Sequence, residues 1–555
     1  MHSLRRFLPL LAVLLPGLAL AQFRPASQPK VFTLYAPTAF YVDSVNGSDS
    51  NDGLKPSTAL ATIAAVKAKP LSVGGTVYLA RGGYWREELS SLPIGTSVAA
   101  FGQGARPVLD GADVAANAGF TKTGGYTNVY QVTWTSSLAD SAKTKISVWE
   151  DGARLVRATS IANCDATPGS FYAVVSGTGT DTVYVNAVGS TAVPSDGHLY
   201  EISRRNFGLS GAIGGTEVSV HTRRQGHNNG SLLNYGTARD CVAEDGTVHN
   251  FWNAGTAEDC IAWKNEGYAS AGAATMFVTY SDYGDGGAVY RRCKAIASTP
   301  SGTLGFYFHT SGGSYKHARM VFEDCEAIGL SGGFSGINAA RVLYLRCKTY
   351  RCTQGITSGA DKVWIIGGVL NGYTYAADGT LMNRAVNPSA STTLVMRGVR
   401  IIARTASGAL VWANGTVDVQ RCTFVWVDTT GFPFVAIKTD TGSLTVKNNI
   451  FSGGRDAIQA AAGTTLSSDY NAFSANTLAV TWNGTYYSSV SAYVTASSQD
   501  THSTTTAPTF AGQVRSGDTR TANGSADWAL SAGADYEADY DLTALSLGLT
   551  NSAGY

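Results

Sequence analysis

Six cysteines recur at one place in a short phrase: "ARDCVAED" at Cys241, "AEDCIAWKN" at Cys260, "YRRCKAIAS" at Cys293, "FEDCEAIGL" at Cys325, "LYLRCKTY" at Cys347 and "VDVQRCTF" at Cys422. Three further phrases, "VWIIGGVL", "TLVMRGVR" and "LTVKNNIF", fit the same frame, with Gly368, Gly398 and Asn449 where the thiol would stand. The nine phrases recur about every 26 residues. Each alternates apolar with polar residues, which is the period of a strand, and Gly, Asn, Ser and Thr break the chain between them. A repeat of this length predicts a chain that coils, two or three short strands per turn, so that equivalent positions stack into ladders one strand spacing apart. The thiols then read as small apolar fillers of a narrow interior. A disulfide between stacked neighbours such as Cys241 and Cys260 is conceivable but not required.

A solenoid exposes its core at both ends and needs caps. The stretch "YVDSVNGSDSNDGLKPSTA", Tyr41 to Ala59, reads as a packed turn of Asx side chains and glycines. As an EF-hand it fails, because Ala59 falls where a bidentate Glu belongs. "STALATIAAVKAKP" then predicts a short amphipathic helix, N-capped by Ser57 or Thr58, with Ile63 and Val66 inward and Pro70 past its end. Residues 1–21 combine Arg5 and Arg6 with an apolar run ending at Ala21, the pattern of an export signal cleaved there, so a secreted or periplasmic protein is expected. No later stretch is apolar for long enough to predict a transmembrane segment. Charged residues make up 15% of the chain and the net charge is +1, which argues against nucleic acid as a partner and for recognition through shape and hydrogen bonds.

The "YVDSVNGSDSNDGLKP" opening, the capping helix and the "GTVYLARGGYWRE" coil that follows resemble the secreted right-handed parallel β-helix repeat superfamily, with its polysaccharide lyase-like or pectin lyase-like fold. The implied fold is all-β: a right-handed parallel β-helix (β-solenoid) with an N-terminal capping helix and a small inserted β-rich domain. Residues 22–112 would form the cap and first coils, 113–200 the insertion, 201–466 the main β-helix, and 467–555 a C-terminal tail packing on or capping it. Characterised proteins of this architecture are largely enzymes or binders of acidic and neutral polysaccharides, alongside phage tailspikes and adhesins. The resemblance thus implies a polysaccharide or glycan partner. The residues leave the cofactor open, and calcium enters only as what the resemblance implies.

Function on such a scaffold must come from one outer face and its loops. Five of the eight histidines, His221, His227, His249, His309 and His317, fall between residues 221 and 317, which marks the expected site. Alternation in "GFYFHT" places Phe306 and Phe308 inward and Tyr307 and His309 outward. In "HNFWN", an inward Phe251 leaves Asn250 and Trp252 outside, and Asn338 follows Ile337 in the same sense. Rings beside amides and imidazoles suit sugars, whose faces stack while their hydroxyls hydrogen-bond. For β-elimination of a uronate polymer, Tyr307, His309 and His249 are the candidate acid and base, with Asn250, Trp252, Asn338, Lys316 and Arg319 holding the chain. For hydrolysis, Asp282 and Asp285 in "TYSDYGDGG" form the best carboxylate pair. A lyase is preferred to a hydrolase, and a non-catalytic glycan-binding or surface-adhesion protein stands as the alternative.

Overall fold

The computed structural model describes residues 38–506, apart from 137, 139–145, 176–179, 227–229, 265–273, 281–286, 310–318, 372–383, 389–391, 404–407, 427–433 and 475–477. It is a parallel β-helix. One face is a fourteen-stranded sheet that opens with Ala39–Val42, Thr76–Ala80 and Ser97–Phe101 and runs without a break to Thr465–Asp469. Each of its strands pairs in parallel with the strand one coil later, as Tyr290 does with Phe322 and Phe322 with Tyr344. A second and a third face are formed by the strands that follow in each coil, such as Lys348–Tyr350 and then Gln354–Ser358.

The corner between the first and second faces repeats in every coil. Ser219, Asp240, Asp259, Arg292, Asp324, Arg346, Gly367, Gly398, Arg421, Asn448 and Tyr470 all hold φ between 51° and 65°. Except at Tyr470, whose N donates to Asp469 Oδ1, these amides point along the stack: Asp259 N donates to Arg291 O at 2.9 Å, and Arg292 N to Glu323 O at 2.8 Å. The left-handed conformation is costly for most side chains, yet it turns the strand within one residue and keeps the ladder bonded. The residue after the corner points inward. Register places Cys241, Cys260, Cys293, Cys325 and Cys347 on one line, continued by Gly368, Val399, Cys422, Asn449 and Asn471. The expectation is therefore corrected at one rung: Gly398 takes the corner and Val399 the interior. All eight cysteines are buried free thiols. Where the column becomes asparagine, Asn449 Oδ1 accepts Cys422 N and Asn471 Oδ1 accepts Asn449 N, both at 2.9 Å, so buried amides stay satisfied.

Interior volume is shared among the three faces. Phe277, Phe306 and Phe334 stack from the third face at 4.8 Å, and Tyr290, Phe322 and Tyr344 stack from the first at 5.1 and 5.2 Å. Opposite these rings the second face supplies Ala262, Ala295, Ala327 and Thr349. In later coils the rings give way to Val386, Ile437 and Met396, and the second face enlarges to Leu370, Ile401, Phe424 and Phe451. Close packing at a nearly constant cross-section requires this exchange.

Both ends of the described helix are covered. At the start, Asp49 accepts Ala61 N and Thr62 N, Asp43 accepts Val45 N and Asn46 N, and Asp52 accepts Leu54 N, so the opening stretch is a packed turn. The helix Ile63–Lys67 buries Ile63 and Val66 as expected, but its N-cap is Thr62 rather than Ser57 or Thr58, because Pro56–Thr58 forms a separate 3-10 turn. At the far end, Val490–Ser497 seats Val490 and Tyr493 on the core.

Residues 112–203 leave the coil after Val108–Asp110 and build a four-stranded and a five-stranded sheet around Phe120, Trp134, Phe171, Val185 and Ile202. The first face ignores the detour, since Val98 pairs directly with Glu217. A buried network ties the two parts: Asp110 meets Arg223 and Arg224, and Glu201 meets Arg86 and Arg224. Burial raises the Asp110 carboxyl, but hydrogen bonds and charge from Arg224 and Arg223 outweigh it and hold the group below its ordinary range.

Glu217 lies on the inner side of that junction, fully buried, with neither carboxylate oxygen hydrogen-bonded among the described residues. Burial holds its carboxyl well above the ordinary range. The folded state thus keeps a proton that the unfolded chain releases above about pH 4.3, and stability falls as pH rises from there through the folded value. Glu217→Gln is expected to raise the thermal midpoint at pH 8, with the gain shrinking toward zero near pH 4; an equal gain at both pH values refutes the assignment. Ala295→Leu is expected to lower the midpoint by overpacking against the aromatic stack, at a cost of about 1–3 kcal/mol, which calorimetry reads.

Candidate functional site

The second and third faces meet the rest of each coil through connections of very different length. The first corner, as from Leu345 to Lys348, spends two residues; Tyr350 to Gln354 spends three, and Asn371 to Arg384 spends twelve. Variable connections flank the third face on both sides, which leaves its outer row as the place where side chains differ most freely from coil to coil.

That row contains a cleft of about 420 Å³ at the corner between the third and first faces. Its walls come from the ends of four consecutive third-face strands: Gly336 and Asn338, Thr357 to Gly359, Arg384 with Asn387 and Pro388, and Trp412 with Asn414. Register puts Thr357 beside Asn387, and Trp412 beside Lys438. Arg384 approaches the Trp412 ring at 4.2 Å and Lys438 at 4.5 Å, measured to the centroid. The indole Nε1 donates to Asp440 Oδ2 at 2.8 Å, and Lys438 Nζ lies 3.4 Å from Asp440 Oδ1. Asp440 N donates in turn to Asn414 Oδ1 at 2.9 Å. Trp412 is thereby oriented by a carboxylate and flanked by two cations.

Other polar groups of the cleft are spent differently. Thr357 Oγ1 accepts Gly336 N, and Ser358 Oγ donates to Ile337 O, so both hydroxyls fasten strands. Among the described residues, the side chains of Asn338, Arg384 and Asn387 hydrogen-bond to no protein group, and no carboxylate pairs with Arg384. Two amides and a guanidinium therefore face the cleft with their donors uncommitted, the donor set that hydroxyls and carboxylates require.

The expected site residues divide into three groups. Asn338 is exposed on the cleft rim, and Tyr307 is half-buried with its ring over Gly336, where an added Cβ would sit 2.7 Å from the ring edge. Asn250, Trp252 and His249 are corrected. Asn250 is buried and bridges faces, its Nδ2 donating to Trp263 O at 2.7 Å while its Oδ1 accepts Gly246 N at 2.8 Å. Trp252 does point away from the core, but Leu233, Val278 and Tyr235 cover it, leaving 2% exposed. His249 is buried with Nδ1 2.5 Å from Thr275 Oγ1, a structural pairing. Arg319 is exposed but begins a first-face strand. Asp282, Asp285 and Lys316 lie outside the described residues, as does the side chain of His309, although its backbone pairs with Tyr280.

Arg384, Asn387, Trp412, Asn414 and Lys438 escaped the sequence reading because histidine clustering drew it toward residues 221–338. Alternation applied to the later coils would have found Trp412, since "GALVW" puts it outward beside Val411.

No protein-family model matches the chain, and no curated protein matches it. Among solved structures, XylC in complex with xylose is similar at 11% identity and a TM-score of 0.36, over 80% of this chain and 70% of XylC. The GH136 lacto-N-biosidase of Eubacterium ramulus is similar at 11% identity and a TM-score of 0.32, over 84% of this chain and 66% of that one. Likeness at this level carries no argument about the site.

Gly359 is exposed, and a Cβ there would lie 1.9 Å from Asn338 Oδ1. Gly359→Ala is expected to swing Asn338 out of the cleft while changing stability by less than about 0.5 kcal/mol, which a crystal structure and a thermal melt of the variant check together.

Proposed function

We propose that this is a secreted, polysaccharide-active member of the pectin lyase-like superfamily that takes an acidic glycan into the third-face cleft. The observation that carries this reading is Arg384, a cation with no carboxylate partner among the described residues, beside Trp412 and Lys438. Two cations against one carboxylate favour an anionic sugar, and Asp440 is already engaged by Trp412 and Lys438. Asn338 and Asn387 would hold hydroxyls on either side.

Within this reading, β-elimination is preferred to hydrolysis. Elimination needs a positive group on the uronate carboxylate, so that the neighbouring C5 proton becomes acidic, and a base to remove it. Arg384 and Lys438 supply the first, and Tyr307, over Gly336 at the cleft edge, is the base of the proposal. The base takes the C5 proton, the electron pair forms a C4–C5 double bond, the C4–O bond breaks, and the departing sugar oxygen gains a proton. A hydrolase would instead need two carboxyl groups about 5–9.5 Å apart. Among the described residues no carboxylate lines the cleft, and Asp440, beside it, is engaged by Trp412 and Lys438.

Pectate, alginate and glycosaminoglycans, each incubated with the protein, are expected to bind, and one of them to gain ultraviolet-absorbing unsaturated ends. Arg384→Ala and Lys438→Ala should each weaken that binding roughly tenfold to a hundredfold, the scale of a lost charge-assisted hydrogen bond. Binding without unsaturated ends or new reducing ends transfers the assignment to the non-catalytic glycan-binding alternative. No binding to any of the three polymers would falsify the acidic-glycan reading.

A further inference from the structure

The first face carries a second surface that the cleft does not use. Arg319, Arg341 and Lys362 open three consecutive strands and are direct register partners. All three are exposed, and among the described residues none of them enters an ion pair or a side-chain hydrogen bond. Like charges one strand spacing apart destabilise a sheet, so the fold gains nothing from this arrangement. Two positions further along the same strands, Val321, Leu343 and Trp364 form a half-exposed apolar row, which Val395 continues in the next coil. Leu345 and Ile366 widen it. Glu323, a carboxylate at the far edge, is committed to Arg291 and Arg346. The result is a flat strip with cations along one side and apolar carbon along the other, both repeating with the strands.

We infer that this strip is a second binding site for a linear acidic glycan, laid across the strands along the stacking direction. Acid groups of successive sugars meet Arg319, Arg341 and Lys362, and the C–H faces of the rings rest on Val321, Leu343 and Trp364. The ligand class rests on the reading of the third-face cleft as a glycan site. The match in period supports it: strands repeat at about 4.8 Å, close to the length of one pyranose in an extended chain, so neighbouring cations can serve neighbouring acids. The sheet holds the cations in place before the ligand arrives, which limits the ordering cost of binding. The strip has no group placed to break a bond; it holds polymer while the cleft works on another segment, and linked sites raise the effective concentration at each.

The test is calorimetric titration of the full chain with hexasaccharides of polygalacturonate, alginate and chondroitin sulfate. Two sites per chain are expected for the acidic hexasaccharide that binds. Arg341→Ala/Lys362→Ala should remove one site and leave the other at its original affinity, and Arg384→Ala/Lys438→Ala should do the converse. Trp364→Ala should weaken the first-face site at least several-fold. Because these side chains are exposed or half-exposed, and the like-charge row costs the sheet stability, the thermal midpoints of the variants should match or exceed the parent. Should one of them melt early, Arg341→Gln/Lys362→Gln replaces it in the same titration. A single site, lost in Arg384→Ala/Lys438→Ala and intact in Arg341→Ala/Lys362→Ala, overturns this inference and leaves the cleft reading standing. No binding of any hexasaccharide overturns both.

Discussion

Everything in this chain depends on a corner that costs one residue per coil. A side chain forced to positive φ loses intrinsic stability, and the coil recovers it by bonding corner amides to carbonyls one rung away, so neighbouring rungs stay parallel and in register. The paired charges at the corner add little, because Asp259 with Arg292 and Asp324 with Arg346 are exposed to water. What holds the corner is the backbone ladder and the small residue just inside it. A thiol fits there, as does Val399, and a polar group must find bonds, as Asn449 and Asn471 do.

The same constraint explains the interior. Once the corner and the ladder fix the cross-section, the three faces compete for one volume, and large rings on two of them leave room only for small residues on the third, alanine or Thr349. It also explains the insertion. The detour through residues 112–203 is tolerated because the strands on either side of it pair with each other, and because the carboxylates at its two ends, Asp110 and Glu201, meet arginines. Glu217, beside that junction, is a buried carboxyl with no such partner among the described residues.

A scaffold this regular can place chemistry only where regularity is relaxed. The first corner has no freedom, whereas connections around the third face vary in length, and the cleft opens among them. Trp412 is held by Asp440 and by Arg384 and Lys438 against its ring, so the cleft wall is assembled from residues on three separate coils. The first-face strip is different in kind: it uses the regularity itself, with cations at one register position on three consecutive strands.

The thiol column was legible in the sequence because an interior ladder must repeat the same small residue, and repetition is visible in one dimension. The coil, the cap helix with Ile63 and Val66 inward, and the outward sense of Tyr307 and Asn338 followed from period and alternation alone. Alternation states which way a side chain leaves the strand, but not what lies over it. Trp252 leaves the core and is covered by Tyr235, Asn250 is consumed by a corner, and Gly398 and Val399 exchange places because one residue of slack separates them. Which outward residues share a cleft was decided by register between coils some 25 residues apart, where Arg384, Trp412 and Lys438 become neighbours only after the chain has wound.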